Sequence, residues 1–301
     1  MVWQEMSKGD GPHACRAAGA RLDQKLGRGS MSAPFRLEFC SVSKLFQARK
    51  GRGEPLVAIK DVSLALTDGE VVSIIGPSGC GKSTLLNLAA GLDRPNGGSV
   101  LVDGIRVTKP NPHVAFMLQK DLLLPWRNIL ENVELGQEIQ GTPKAERVER
   151  GTSLLARYHL ADFAHHYPHQ LSGGMRQRAA LARTMAMNPD VVLLDEPFSA
   201  LDAQTKLILQ KDLAQVLAEE RKTALFITHD ISEAVSLSDR VLVMSRRPGT
   251  IIREMIIEIP DRSDPFKRRR HPKMGEYVSE LLSLLGIVDG TLEEEKQAAA
   301  S

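Results

Sequence analysis

No stretch of this chain approaches the roughly 18 consecutive apolar residues that a membrane-crossing helix requires, and no signal-peptide core opens it. A soluble chain is therefore expected, one whose membrane association, if it has any, comes through a partner. Neither sign of charge dominates: 39 Lys and Arg against 37 Asp and Glu leave +2. That balance argues against a nucleic-acid binder held mainly by charge. Cysteine is scarce, and Cys15, Cys40 and Cys80 show no metal-ligand spacing, so a reduced, cytosolic setting is expected. No internal repeat is visible either. What remains is 301 residues with an ordinary 42% hydrophobic content, enough for one large α/β domain with a real core.

The most informative segment is Gly76-Pro77-Ser78-Gly79-Cys80-Gly81-Lys82-Ser83-Thr84. It follows Val71-Val72-Ser73-Ile74-Ile75, which reads as a buried strand, and it opens a helical run from Ser83 to Ala90. Strand, Gly-rich loop and helix in that order form a phosphate-binding loop. Glycines at 76, 79 and 81 let backbone N–H groups turn onto an anion at the positive end of the new helix. Lys82 would reach the β- and γ-phosphates of a nucleotide, and Ser83 would hold Mg²⁺. A plain Gly-rich turn would not need Lys-Ser-Thr in this register.

Downstream, Val191-Val192-Leu193-Leu194 is a β-type run with Asp195-Glu196 at its C-terminal end, the end at which open parallel sheets bind ligands. Without a phosphate loop these would read as a solvated acid pair. With one, Asp195 can bind Mg²⁺ through water and Glu196 can orient and deprotonate an attacking water. Between the two motifs, Leu171-Ser172-Gly173-Gly174-Met175 opens a long helix. Ser172 is a good N-cap, and Gly173 and Gly174 leave N–H groups bare for a second anion site.

Phosphate loop, LSGG segment and Asp-Glu strand end, in this order, resemble the ATP-binding cassette (ABC) family over roughly residues 36 to 260. The resemblance implies further roles. Gln119 would touch Mg²⁺ and the attacking water and open a helical subdomain. Asp202, in Ser199-Ala200-Leu201-Asp202, would lie in a loop passing between two subunits, although a simple helix N-cap is the plainer reading. His229, after the apolar strand Ala224 to Ile227, would contact the γ-phosphate, and Phe46 would stack on adenine. Ser172, Gly173 and Gly174 would act across a head-to-tail dimer. Met175 departs from the Gln that many members carry there, a variant familiar among importers.

The implied fold is an α/β P-loop (RecA-like) core with a mainly parallel sheet, an antiparallel β region and an inserted helical subdomain. The hairpin signal Val100 to Val107 around Asp103-Gly104 fits the antiparallel part, and the mostly helical pattern from Asp121 to about Ala182 fits the subdomain. The expected division is a disordered extension over 1–34, an ATPase domain over 35–265 with the subdomain at about 121–182, and a C-terminal helix and acidic tail over 266–301. Met31 offers an alternative start. Lys267-Arg268-Arg269-Arg270 reads as a solvated charge run ahead of an amphipathic helix bearing Val278, Leu281, Leu282, Leu284 and Leu285.

Among activities of such a family, only about fifty residues separate Gln119 from Leu171, with no sustained heptads, so the coiled-coil repair and chromosome types are excluded. Translation-type members carry two cassettes, and this chain has one. The alternative is a non-transport ATPase acting as a regulatory or nucleic-acid-associated switch, against which Glu196 and His229 both speak. Leu124-Pro125-Trp126-Arg127-Asn128-Ile129, His169-Gln170 and Val243 to Gly249 are similar to importer ATPases for nitrate, sulfonate and taurine. The resemblance thus implies ATP and Mg²⁺ as cofactors, a second copy and an integral-membrane permease as partners, a solute-binding protein indirectly, no nucleic acid, and a place at the cytoplasmic face of the membrane.

Overall fold

The computed structural model describes residues 35–47 and 55–286. The expectations for 1–34 including Met31, for Cys15, and for the acidic tail at Glu293 to Glu295 lie outside the described residues.

Two sheets organise the chain. β1 (Leu37–Phe46), β2 (Leu56–Leu66), β4 (Gly97–Val102) and β5 (Ile105–Arg106) form an antiparallel sheet in the order β2-β1-β4-β5. The hairpin turn has positive φ at both Asp103 and Gly104, the conformation that the Asp-Gly pair supplies cheaply. β3 (Val71–Ile75), β6 (Val114–Met117), β7 (Val191–Asp195), β8 (Thr223–Ile227), β9 (Arg240–Met244) and β10 (Ile251–Ile256) form the second sheet, ordered β10-β9-β3-β8-β7-β6. Its strands are parallel except for β10 on β9. The central strands β3, β7, β8 and β9 are buried at every position, which is why they read as continuous apolar runs rather than alternating ones.

The helices are α1 (Lys82–Ala89), α2 (Ile129–Val133), α3 (Leu135–Ile139), α4 (Lys144–Arg157), α5 (Gly173–Ala186), α6 (Ala203–Glu219), α7 (Ile231–Leu237), α8 (Pro265–Arg269) and α9 (Met274–Leu284). Regular helix after Gln119 begins at Ile129. Asp121 to Asn128 is irregular, because Pro125 opposes a helix there and Asn128 starts α2 with a reciprocal capping box to Glu131. Asn132, fully buried, then fastens this segment through bonds to the Leu124, Arg127 and Asn128 carbonyls and the Leu124 N–H.

The two sheets are joined by backbone and by charge. Gly249 N–H donates to the Ala58 carbonyl and Lys60 N–H to the Gly249 carbonyl, which ties β2 to the loop after β9. Arg240, 2% exposed, meets Glu70 and Glu254 at 2.7 Å each and the Ala65 carbonyl at 3.0 Å. A buried guanidinium demands such complete pairing.

One sequence expectation is corrected in part. The run Lys267–Arg270 is exposed at Lys267 and Arg270, but Arg268 is 2% exposed and donates to the carbonyls of Ile259, Pro260, Val235, Ser236 and Ser238. It closes the C-terminal end of α7 against the segment after β10, a partner set scattered along the chain and so hidden from a local charge pattern. Helix α9 then buries Leu281 and packs Tyr277, Val278, Leu284 and Leu285 on the same core. Cys80 is a free, buried thiol. No helix among the described residues is long and apolar enough to cross a membrane.

Candidate nucleotide site

Parallel register carries four motifs to one edge. Ile74 pairs with Ile227, Asp195 with Ile227 and Met117 with Leu194, so β3, β6, β7 and β8 all end together. The residues that follow them are Gly76, Gln119, Glu196 and His229. Strand ends in a parallel sheet point the same way, which makes this edge the place for a ligand.

The loop after β3 wraps the start of α1. Gly79 and Gly81 have φ of 75° and 109°, which side chains with a Cβ rarely adopt, and a Cβ on Gly81 would lie 3.0 Å from the Ala58 carbonyl oxygen. Lys82, only 9% exposed, folds back so that Nζ donates to the Gly76 carbonyl at 2.7 Å and the Pro77 carbonyl at 2.9 Å. Its charge is thus held at the loop by neutral acceptors that a phosphate can replace. A cavity of about 380 Å³ lies over this loop, lined by Phe46, Ser78, Gly79, Gly81, Lys82, Ser83 and Thr84 together with Gln119 and Glu196. The structure therefore brings Phe46, most of the loop, Gln119 and Glu196 to one cavity, whose lining does not include Asp195 or His229. Phe46 is 41% exposed and lines the cavity, with Lys44 Nζ over its ring 5.3 Å from the centre. Gly76, Pro77 and Cys80 do not line the cavity; the first two hold Lys82 through their carbonyls and Cys80 is buried.

The acids differ as their positions require. Asp195 is 6% exposed, and burial pushes its carboxyl up from the ordinary range; a hydrogen bond with Ser83 and the charge of Lys82 act the other way, while Glu196 adds to the rise. Glu196 has a φ of +48°, an uncommon conformation for a residue with a side chain, and its backbone N–H donates to the Ile227 carbonyl at 3.0 Å. Gln119 Nε2 donates to Glu196 Oε2 at 3.0 Å, and His229 Nδ1 lies 3.5 Å from the same oxygen. One carboxylate oxygen is thus addressed by side chains from the ends of β6 and β8. This is an arrangement able to orient and deprotonate a water beside a phosphate.

Sequence reasoning missed Arg247, Leu56 and Ala58, which also line the cavity. Arg247 grips the phosphate loop, its Nε and Nη2 donating to the Gly79 carbonyl at 3.0 and 2.6 Å. The segment Val243 to Gly249 held the only signal, and nothing local tells that β2 clamps this loop over the cavity.

Ser172, Gly173 and Gly174 do not line the cavity. Ser172 caps α5, its Oγ accepting from the Met175 N–H at 3.2 Å, and a Cβ on Gly174 would meet Leu201 at 3.0 Å. Asp202 caps α6 by accepting from the Gln204 and Thr205 N–H groups. The signature helix is nevertheless bound to the segment after Gln119. Arg176 pairs with Asp121 at 3.1 Å, and Arg183 donates to the Asp121 and Leu122 carbonyls at 2.6 and 2.9 Å.

Comparisons with known proteins agree with this geometry. The family model for ABC transporters matches residues 59–199. The nitrate import ATP-binding protein NrtD of Synechocystis sp. is 42% identical over 88% of this chain and 99% of its own length. The taurine import ATP-binding protein TauB of Roseobacter denitrificans is 39% identical over 82% and 94%. Among solved structures, a dimeric post-hydrolysis ATP-binding cassette bound to ADP and Pi is similar with a TM-score of 0.67 and 34% identity, over 74% of this chain and 99% of that one. The chain belongs to the ABC transporter family, as one of its ATP-binding and ATP-hydrolysing proteins.

Proposed function

We propose that this chain powers the uptake of a small solute, of the nitrate, sulfonate or taurine kind, through a separate membrane-embedded permease. The nucleotide would rest on the loop from Gly76 to Thr84 with adenine on Phe46, and Lys82 would exchange its loop carbonyls for the β- and γ-phosphates. Mg²⁺ fits the residues present. Among the described residues no group of three or more acidic, His or Cys side chains could cage a metal, but Mg²⁺ is ordinarily held by one or two protein groups plus phosphates. Ser83, Asp195 and Gln119 would hold it, and its chemistry would be to neutralise charge on the phosphates. Glu196 would take the proton of the attacking water, and His229 would contact the γ-phosphate.

The observation that carries this reading is the convergence of Gln119 and His229 on Glu196 Oε2 beside the phosphate loop. In a single copy, Ser172 to Gly174 lie outside the cavity, so the phosphate is enclosed on one side only. Two copies arranged head to tail, with Asp202 in the loop between them, would supply the missing face. The relatives named for nitrate and taurine import support a permease partner, an indirect solute-binding protein and a place at the cytoplasmic face of the membrane. The near-neutral charge supports no nucleic acid. We keep 35–265 as the ATPase domain, with its helical subdomain at about 121–182, and 266–301 as a C-terminal addition. Glu196→Gln tests the reading: nucleotide should still bind, phosphate release should fall roughly 10²–10⁴-fold, and ATP with Mg²⁺ should trap a dimer on size exclusion that ADP does not. Near-normal hydrolysis would remove Glu196 from its role, and a persistent monomer, with or without the permease, would remove the head-to-tail geometry.

A further inference from the structure

The imidazole of His229 is exposed, with 66% of the side chain open, and its partner is the distant Glu196 oxygen at 3.5 Å. With the side chain largely open and its ion-pair partner at long range, its direction depends chiefly on the backbone of residues 228 to 230. Both flanks of that backbone are fixed through one buried carboxylate. Glu233 on α7 is 3% exposed. Its Oε2 accepts from the Thr228 hydroxyl, and its Oε1 accepts from Gln210 Nε2 at 3.1 Å and faces Lys206 Nζ. The Thr228 hydroxyl in turn accepts from the Asp230 N–H at 3.0 Å. Asp230 caps α7 through the Glu233 N–H and pairs with Lys206 at 2.9 Å.

We propose that Glu233 is a positioning residue for His229, setting its reach toward the nucleotide and linking it to α6. Lys206 and Gln210 both lie on α6, the helix that starts at Asp202, and the Gln210 amide oxygen accepts from Arg269 Nη2 at 2.6 Å. The end of β8, α7 and α6 therefore meet at Glu233, with α8 joined through Gln210, at a buried residue that does not line the nucleotide cavity. A buried carboxylate whose partners are all satisfied holds one arrangement, since any displacement leaves a buried charge or hydroxyl unpaired. A shift of α6 or of the C-terminal segment would be delivered to Thr228 and Asp230, and so to the imidazole between them.

The inference rests on the reading of His229 as the phosphate-contacting residue, and the experiment separates the two. In the full chain, Glu233→Ala should lower kcat for ATP hydrolysis about 10–100-fold, the usual worth of a group that orients a functional histidine. Nucleotide affinity should change less than about twofold, because the network does not touch the phosphate loop. Glu233→Gln, which keeps one acceptor oxygen for Gln210 and Lys206 and can donate its amide N–H to the Thr228 hydroxyl, should recover most of the rate. Adding Glu233→Ala to His229→Ala should cost nothing further, the mark of residues acting as a unit. Thr228→Val, nearly the same in shape and removing only the hydroxyl, carries the same test if the Glu233 variants fail to fold. Multiplying losses in the double variant, or normal kcat in folded Glu233→Ala or Thr228→Val, would overturn the proposal. A His229→Ala protein with full activity would overturn the His229 reading itself.

Discussion

Replacing Trp126 with Ala should leave the isolated subunit standing and detach it from its permease. Leu122, Leu123, Leu124 and Trp126 form an apolar density beyond Gln119 that invites two readings, subdomain core or docking face, and the structure divides it. Leu123 is 8% exposed, while Leu122 and Trp126 are 54% and 71% exposed. A fully buried Trp removes about 150–250 Å² from water, so the smaller part of Trp126 that is covered amounts to roughly 45–75 Å², or about 1–2 kcal/mol at ~25 cal/mol per Å². Leu123→Ala should cost more, about 2–5 kcal/mol, because it leaves a cavity in the core. An exposed aromatic that becomes the centre of an interface is commonly worth at least about 2 kcal/mol, or roughly 30-fold in affinity. The assay pairs thermal melts of the isolated variants with co-purification on the permease and substrate-stimulated hydrolysis in vesicles. Trp126→Ala should melt within a few degrees of the parent, yet bind permease at least about 30-fold more weakly. A large loss of melting temperature with permease binding intact once folded would refute the division and return Trp126 to the core.

Two further outcomes follow from the nucleotide edge. Burial raises the Asp195 carboxyl above its ordinary value, so its ionised form opposes folding at neutral pH and that cost fades as pH falls through the raised value. Asp195→Asn should therefore raise the melting temperature of nucleotide-free protein, by about 0.5–2 kcal/mol of stability, while Mg²⁺-dependent ATP hydrolysis is lost; an unchanged or lowered melt at pH 7 would show that the bond with Ser83 outweighs desolvation. Arg247→Ala frees the Gly79 carbonyl and should weaken ATP binding about 5–30-fold, the worth of a charge-assisted hydrogen bond of roughly 1–2 kcal/mol, with little effect on turnover at saturating ATP. Titration of a fluorescent ATP analogue measures the first and phosphate release the second, and equal affinity in both proteins would dismiss the clamp.

The sequence by itself determined the chemistry that depends on chain-local geometry. Strand, Gly-rich loop and helix lie within twenty residues of one another, from Val71 to Ala89, and conformations such as φ +75° at Gly79 are written in the residue type. The buried strands of the parallel sheet announced themselves as unbroken apolar runs ending in Asp195-Glu196 or ahead of His229, because both faces of such strands exclude water. Tertiary structure alone decided what depends on partners far apart in the chain. That Gln119 and His229 converge on one oxygen of Glu196 follows from the strand order β8-β7-β6, which no local spacing encodes. Arg247 reached the phosphate loop because Gly249 is bonded to β2. Arg268, one of four bases in a row, was buried by carbonyls thirty residues earlier, and Glu233 was joined to Gln210 and Lys206 on another helix. A charge in sequence carries no mark of whether water or a carbonyl will face it; only the packing of distant elements supplies that answer.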